Sequence, residues 1–409
     1  MWNRKQLVSW ILGLAGLGLG VLVFNCKNAN KESDYLSLPI LATHANGEHY
    51  VGSKTCMGCH ADIYDSYLET AHYNTSSVAD TSTVKGSFMV GANSLDLADV
   101  SFTMTQEGDS LFQYIKIRNR SIALPPTPFD VVVGSGVRGQ SYLSWEENDL
   151  YQLQVSYHSQ SDNWVNSPGY PSYHTKRPIR SACLKCHVTH AEKKGESVMG
   201  NSFDRSKMIL GISCEKCHGP SLKHVAYQQK HPEAGESKFV IKIDTLLRQQ
   251  RLDLCAQCHS GPRDVQLKGD AFSYFTGEDL NQHSRNIDSG KPQETLDVHG
   301  NQYGLLIQSE CFKETPTMDC NTCHNPHKKE RGDIASFILK CIACHGEMKK
   351  HYSVDAKLST EMQDNCISCH MPSKPSKAMM VQLTPDSVET SFKIRSHLIG
   401  IYAESLWKE

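Results

Sequence analysis

Several things this chain of 409 residues has little of narrow its chemistry. It carries 42 basic and 44 acidic side chains, a formal charge of −2, and no basic tract of the length that nucleic-acid binding needs. Low-complexity tracts are also missing. Only 39% of the residues are hydrophobic, which is lean for a chain long enough to bury a large core. Something besides aliphatic side chains must fill part of the interior. Cysteine is scarce outside one motif: of sixteen, only Cys26 and Cys311 fall elsewhere.

The other fourteen form seven copies of Cys-x-x-Cys-His. Their thiols are Cys56 and Cys59, Cys183 and Cys186, Cys214 and Cys217, Cys255 and Cys258, Cys320 and Cys323, Cys341 and Cys344, Cys366 and Cys369. They close at His60, His187, His218, His259, His324, His345 and His370. This is the attachment signature of c-type haem, in which both thiols form thioethers with the vinyl groups and the adjoining imidazole binds iron. Zinc knuckles are the competing reading, but they do not require histidine after every second cysteine. A disulfide framework fits worse, because a two-residue gap strains a bridge and disulfide scaffolds are far shorter chains. Seven covalent haem c groups are therefore expected, and their broad apolar rings would supply the missing core. Their roughly fourteen propionates would make the holoprotein acidic, or balanced where Arg and Lys pair with them.

Export is what such attachment requires. Arg4 and Lys5 precede an apolar run from Leu7 to Phe24, and polar residues follow from Lys27. Cys26 ends that run, as in a bacterial lipoprotein signal, although Asn25 stands where a small residue is usual. The alternative is an uncleaved single-span anchor, for which the 18-residue run is just long enough and its four glycines unfavourable. The lipoprotein reading is preferred. Both tether the protein to a membrane, outside the cytoplasm. Cys311 reads as a buried thiol packing as a small hydrophobe.

The motifs are unevenly spread. The first two close 127 residues apart, and the later gaps are 31, 41, 65, 21 and 25 residues. Residues 1–26 read as the signal or anchor, 27–50 as a flexible tether, 51–83 as the first haem region. An antiparallel β insertion is expected over 84–165 and the remaining haem region over 166–409. Ile63, Tyr64, Tyr67, Leu68 and Ala71 predict a helix over Ala61 to His72. Val100, Phe102 and Met104 alternate with polar residues, and Ile115 and Ile117 lie in a return strand after a Glu107-Gly108-Asp109 turn. A second hairpin is expected at Glu147-Asn148-Asp149, with Tyr151, Leu153, Val155 and Tyr157 on one face. Beyond His174 only one helix is expected, near Asp244 to Leu254, among loops held by haem. The fold class is thus a multihaem cytochrome c fold: short helices and irregular loops around covalent haems, with a β insertion between the first and second.

Thirteen histidines lie outside the motifs, enough for a second imidazole on every iron. Chain length constrains some of them. His327 follows His324 by three residues, a span of at most about 10 Å, too short to pass a porphyrin edge and return to the opposite face. If it binds iron, it binds that of a neighbouring haem. The same holds for His190 after His187, and His224 is constrained alike after His218. His158, on a predicted strand, is expected to face solvent or pack locally. His44, His49, His231 and His283 are given no role.

The order of seven motifs with a β-rich stretch after the first resembles the multihaem cytochromes often fused to tetratricopeptide repeats. Those are distantly similar to the tetrahaem electron acceptor of hydroxylamine oxidoreductase. The resemblance covers about residues 50–400 and rests on Tyr50-Val51-Gly52-Ser53, Leu68-Glu69-Thr70-Ala71-His72, Cys214-Glu215-Lys216-Cys217-His218-Gly219-Pro220, Cys320 to His327, and Cys366 to Pro372. It implies an electron-transfer module and adds weight to His72, His224, His327 and His397 as distal ligands. His299, in a stretch placed before the fifth motif, joins them, as do His174, nine residues before Cys183, His190, and His351, six after His345. The repeat array of the fused members is missing, so their repeat-borne partner binding does not carry over.

Two functions follow. One is an electron conduit between extracytoplasmic or membrane-bound redox proteins, such as quinol-oxidising or terminal reductase and oxidase components. The other is a multihaem reductase or oxidase of a small nitrogen or sulfur compound, which needs one open iron and nearby donors. Seven regular motifs and surplus histidines favour the conduit.

Overall fold

The computed structural model describes residues 38–118, 124–287, 296–346, 365–383 and 389–402. The signal or anchor segment, Cys26 and His351 lie outside them. Among the described residues no helix is long and apolar enough to cross a membrane.

Two antiparallel sheets follow the first motif. One runs 94–96, 100–107, 110–117, 127–128 in spatial order. The other runs 163–166, 149–158, 139–146, 131–133, 76–78, with 177–178 also paired to the long strand Asp149–His158. The period-two pattern has its expected result: Val100, Phe102 and Met104 are each 0% exposed, and Glu107 pairs with Ser110 across a tight turn. These three join Leu111, Ile115, Phe129, Tyr142, Val155 and Trp164 in one core between the sheets. The second hairpin turns at Glu147, whose φ is 54°.

Asp149–His158 does not keep one apolar face as expected. Its pairing shifts between Gln152 and Ser156, which turns Leu153, Gln154, Val155 and Ser156 all inward. Leu150, on the other side, belongs to a second core with Ile179, Leu184, Val188, Phe203 and Phe272. The strand is a central one, buried on both faces, and it joins the sheets to the segment carrying the second motif. Strands 76–78 and 177–178 extend the sheet beyond residues 84–165.

Three other expectations change. The tether does not reach residue 50: Ala42–Thr43 pairs with His49–Tyr50, and Ala42, His44 and Tyr50 are buried. The helix expected over Asp244 to Leu254 is displaced to Arg248–His259, since Leu246 and Leu247 are extended and the Gln250 side chain caps the start. The C-terminal part is also more ordered than loops alone. A twelve-residue helix, Ile334–His345, starts at Asp333, whose carboxylate accepts from the Ser336 amide. Ser373–Val381 and Thr390–Arg395 form a hairpin.

One side chain ties the first motif region to the third. Glu215 is 2% exposed, and its carboxylate accepts from the amides of Val51 at 3.0 Å, Gly52 at 2.7 Å and Ser221 at 2.9 Å. Replacing it with alanine strands three amides away from water, at about 1–3 kcal/mol each. Glu215→Ala should lower the denaturant midpoint of the holoprotein by the equivalent of at least about 3 kcal/mol, and Glu215→Gln by less, since its amide oxygen still accepts. Equal midpoints for all three proteins would remove this clamp from the account.

Candidate haem sites

Local geometry suits the attachment chemistry. In Cys214–His218, Arg248–His259, Ile334–His345 and Cys366–His370 the motif histidine is the last residue of a helix. One helical turn sets the two cysteines, three apart, on a common face. Gly219 and Gly346 then leave with positive φ, 80° and 56°, a conformation that favours glycine. All fifteen described cysteines are unpaired. Among the described residues no group of three or more His, Cys, Asp or Glu could hold a metal ion unaided.

The motifs lie against one another. Thiols interact between the first and third (Cys56 and Cys214), the second and fourth (Cys186 and Cys258), and the fourth and fifth (Cys255 and Cys320). Cys217 lies within electrostatic reach of Cys255 and Cys258, which links the third motif to the fourth. The helices of the sixth and seventh pack together. Arg251, on the helix of the fourth motif, pairs at 2.5 Å with Asp319, the residue before Cys320.

Five motif histidines have a polar partner at Nδ1. His218 donates to the Ile241 carbonyl at 2.9 Å and His370 to the Gly400 carbonyl at 2.8 Å. His187 meets the Thr75 hydroxyl at 3.1 Å, His259 the Gln302 amide oxygen at 3.1 Å, and His324 the Glu330 carboxylate at 3.5 Å. A proton on Nδ1 leaves the Nε2 lone pair free for a metal, and the bond fixes the ring's direction.

Three histidine pairs lie at nearly one separation, with ring planes inclined by 10° for His218 and His327, 75° for His72 and His259, and 30° for His324 and His397. Ring centres are 6.1 Å apart for His218 and His327, 6.1 Å for His72 and His259, and 6.2 Å for His324 and His397. Two imidazoles on opposite sides of one metal, each bound at about 2.0 Å, have ring centres roughly 6 Å apart. The residues present therefore fit an iron held between each pair. A fourth motif histidine, His187, lies within electrostatic reach of His299. Two of these rings are held neutral, foremost by desolvation: His72 and His397 are each lowered to about 4, with His259 and His324 as further causes. His187, His259, His299 and His327 are lowered for the same first reason. Neutral imidazole is the form that binds metal.

Pairing follows space and not sequence. His327 lies against the histidine of the third motif, as its three-residue distance from His324 requires. His72, twelve residues after His60, stands opposite the histidine of the fourth motif. Other candidates are less complete. His224 donates from Nδ1 to the Lys238 carbonyl at 2.8 Å, the same anchoring as the motif histidines. His190 is buried between Tyr50 and Phe272, with neither ring nitrogen partnered and its pKa lowered by burial to about 4. The Nδ1 of His174 is buried without a partner. Among the described residues these three lie beside no motif histidine ring.

Of the histidines given no role, His44 is 4% exposed. Its Nδ1 accepts from the Asn46 amide, so Nε2 carries the proton, the wrong tautomer for an Nε2 ligand. His158 does not face solvent: it packs on Phe392 and meets the Ser161 hydroxyl at 2.8 Å. Glu215 gave no sign of its importance in the sequence beyond its place inside the third motif.

The model of the family described as cytochrome c554 and c-prime matches residues 140–219. The chain is 26% identical over 227 residues to the dissimilatory sulfite reductase MccA of Wolinella succinogenes, covering 47% of this chain and 27% of that protein. It is 26% identical over 205 residues to the multiheme cytochrome MtrA of Shewanella baltica, covering 46% and 52%. It is 24% identical over 211 residues to the C-type polyheme cytochrome OmcC of Geobacter sulfurreducens, covering 46% and 26%. The chain thus spans about a quarter to a half of the length of these relatives. In structure it is similar to the outer cell wall cytochrome OcwA, with a TM-score of 0.55 and 17% identity over 86% of this chain and 79% of that one, a likeness of fold. These likenesses converge on the multihaem c-type cytochromes, a class with covalently bound haem c and electron transfer as its business.

Proposed function

We propose that the chain is a heptahaem c-type cytochrome that conducts electrons between redox proteins outside the cytoplasm. The observation that carries this reading is the set of three histidine pairs with ring centres 6.1, 6.1 and 6.2 Å apart, each pairing a motif histidine with one from elsewhere. Haem, when bound, supplies reversible one-electron chemistry at iron. The chain's own residues do the rest. Fourteen motif cysteines fix the rings, and seven motif histidines take the proximal positions. His72, His299, His327 and His397 take the distal positions opposite His259, His187, His218 and His324. His174, His190, His224 and His351 are the candidates for the haems of the first, sixth and seventh motifs. Imidazoles on both sides of an iron would close it to substrate. The first five motifs lie near one another, which would set their rings side by side.

The partners in this reading are quinol-oxidising or terminal reductase and oxidase components, reached from a membrane tether through lipidated Cys26. A second reading is favoured by one observation, the likeness to a dissimilatory sulfite reductase over 227 residues. There, one iron would stay open to a small sulfur or nitrogen compound.

Electron paramagnetic resonance of the oxidised protein separates the two. The conduit reading expects low-spin signals alone, unchanged when nitrite, hydroxylamine or sulfite is added. A high-spin component that shifts on any of these additions would transfer the case to the reductase.

A further inference from the structure

A cleft of about 120 Å³ lies between the sheet and the C-terminal hairpin, lined by Val137, Arg138, Ser159, Gln160, Arg331 and Phe392. Two arginines reach it from distant parts of the chain. Arg138 lies just before the strand Gly139–Glu146, and Arg331 follows the fifth motif. Among the described residues neither guanidinium has a salt bridge or a side-chain hydrogen bond, and the carboxylates nearest in sequence are engaged elsewhere. Glu330 accepts from the Asn325 amide at 3.0 Å and faces His324. Asp297 accepts from the amides of His299, Lys377 and Ala378. Both side chains are exposed at the cleft; partial desolvation and the charge of Arg331 disfavour the cation at Arg138, and the charge of Arg138 in turn reaches the His299 ring.

Two guanidiniums facing one small cleft repel each other unless an anion lies between them. Each presents a planar fork of donors suited to bidentate oxygen ligands, carboxylate or a tetrahedral oxyanion. Ser159 and Gln160 add hydrogen-bonding groups at the rim, while Val137 and Phe392 give an apolar wall. We propose that Arg138 and Arg331 form an oxyanion clamp beside the His187–His299 pair. The bound oxygens have two sources: propionate carboxylates of the haem at that pair, or a soluble tetrahedral oxyanion. The first source rests on the haem reading above, and the second does not.

The test uses the full holoprotein, its haem content counted first by intact mass, with R138Q/R331Q and R138K/R331K beside the wild type. Inorganic sulfate, which is redox-inert here, is the probe, followed by calorimetry and by spectroelectrochemical titration. If propionates fill the clamp, one reduction step moves to lower potential in the glutamine pair, because two positive charges that favour the reduced state are gone. The lysine pair restores it, and sulfate has no effect. If the anion is soluble, the wild type binds one sulfate saturably and the glutamine pair binds it at least tenfold more weakly. Identical reduction steps together with sulfate binding that is missing or indifferent to the substitutions would overturn the clamp. A protein without haem would refute the haem reading, and the sulfate arm would still decide the cleft.

Discussion

Replacing Cys320 and Cys323 with alanine should remove the mass of one haem per chain and loosen the C-terminal segment, leaving the β-sheets folded. The fifth motif sits where three parts of the protein meet. Cys320 interacts with Cys255 of the fourth motif, and Asp319 pairs with Arg251 on the fourth motif's helix. Arg248, one turn earlier, donates to the Met318 carbonyl at 2.7 Å. On the other side, the His324 ring lies 6.2 Å from His397, in a loop held by hydrogen bonds to Ser309, His370 and Pro372. The Ser309 hydroxyl donates to the His397 carbonyl at 3.2 Å and accepts from the Ile399 amide at 2.8 Å, and His370 donates to the Gly400 carbonyl.

An iron bridging His324 and His397 would be the strongest link in that loop, so its loss should free residues 396–402 first. If even roughly 200 Å² of apolar ring surface is buried there, about 5 kcal/mol of burial goes with it. That is comparable to the whole stability of many domains. The two sheets keep their own core of Phe102, Tyr142, Val155 and Trp164 and need no haem to hold it. Intact mass checks the first half of the expectation. Limited proteolysis checks the second, with new cleavage expected near the C-terminus and none between residues 94 and 166. A variant with full haem mass would show that one or both thiols are dispensable for attachment.

The motif Cys-x-x-Cys-His is local, so the sequence alone names the candidate attachment points: one helical turn decides where both thiols face. The β hairpin around Gly108 was legible for the same kind of reason, since alternation over Val100, Phe102 and Met104 predicts one buried face. Asp149–His158 escaped this logic because it is buried on both sides and carries a register shift, which breaks the period. Distal partners are a different matter. Which imidazole meets which motif histidine depends on how distant segments pack, and spacing can only exclude. Spacing argues against His324 as the partner of His327, and it is the His218 ring that lies 6.1 Å from His327. It had nothing to offer on His72, which stands across from His259, nearly two hundred residues away. The helix Ile334–His345 lies in a stretch that the sequence reading left to loops held by haem. The burial of His44 depends on the Ala42–Tyr50 hairpin, in a stretch whose polar residues read as tether.

Replacing His327 with methionine should raise the midpoint potential of one haem and leave all seven attached. Thioether in place of imidazole on one face favours the reduced iron, and axial ligands as a class span roughly 0.8 V. A single exchange should move one step upward by on the order of 100 mV. The haem affected should be that of the third motif, whose His218 lies 6.1 Å from His327 with the rings tilted by only 10°. It should not be that of the fifth motif, although His327 belongs to the same short segment. A second substitution isolates the point. In a Cys214→Ala, Cys217→Ala background the haem held by His218 is gone, and His327→Met should then change no remaining step. In a Cys320→Ala, Cys323→Ala background the upward step should persist. The reverse pattern would assign His327 to the fifth motif, and the chain would have to bend around a ring edge within three residues, which its length does not allow. An unchanged titration in every background would mean that His327 binds no iron. The stacking of His218 and His327 would then be a packing contact, and the pairing argument would rest on His72 with His259 and His324 with His397.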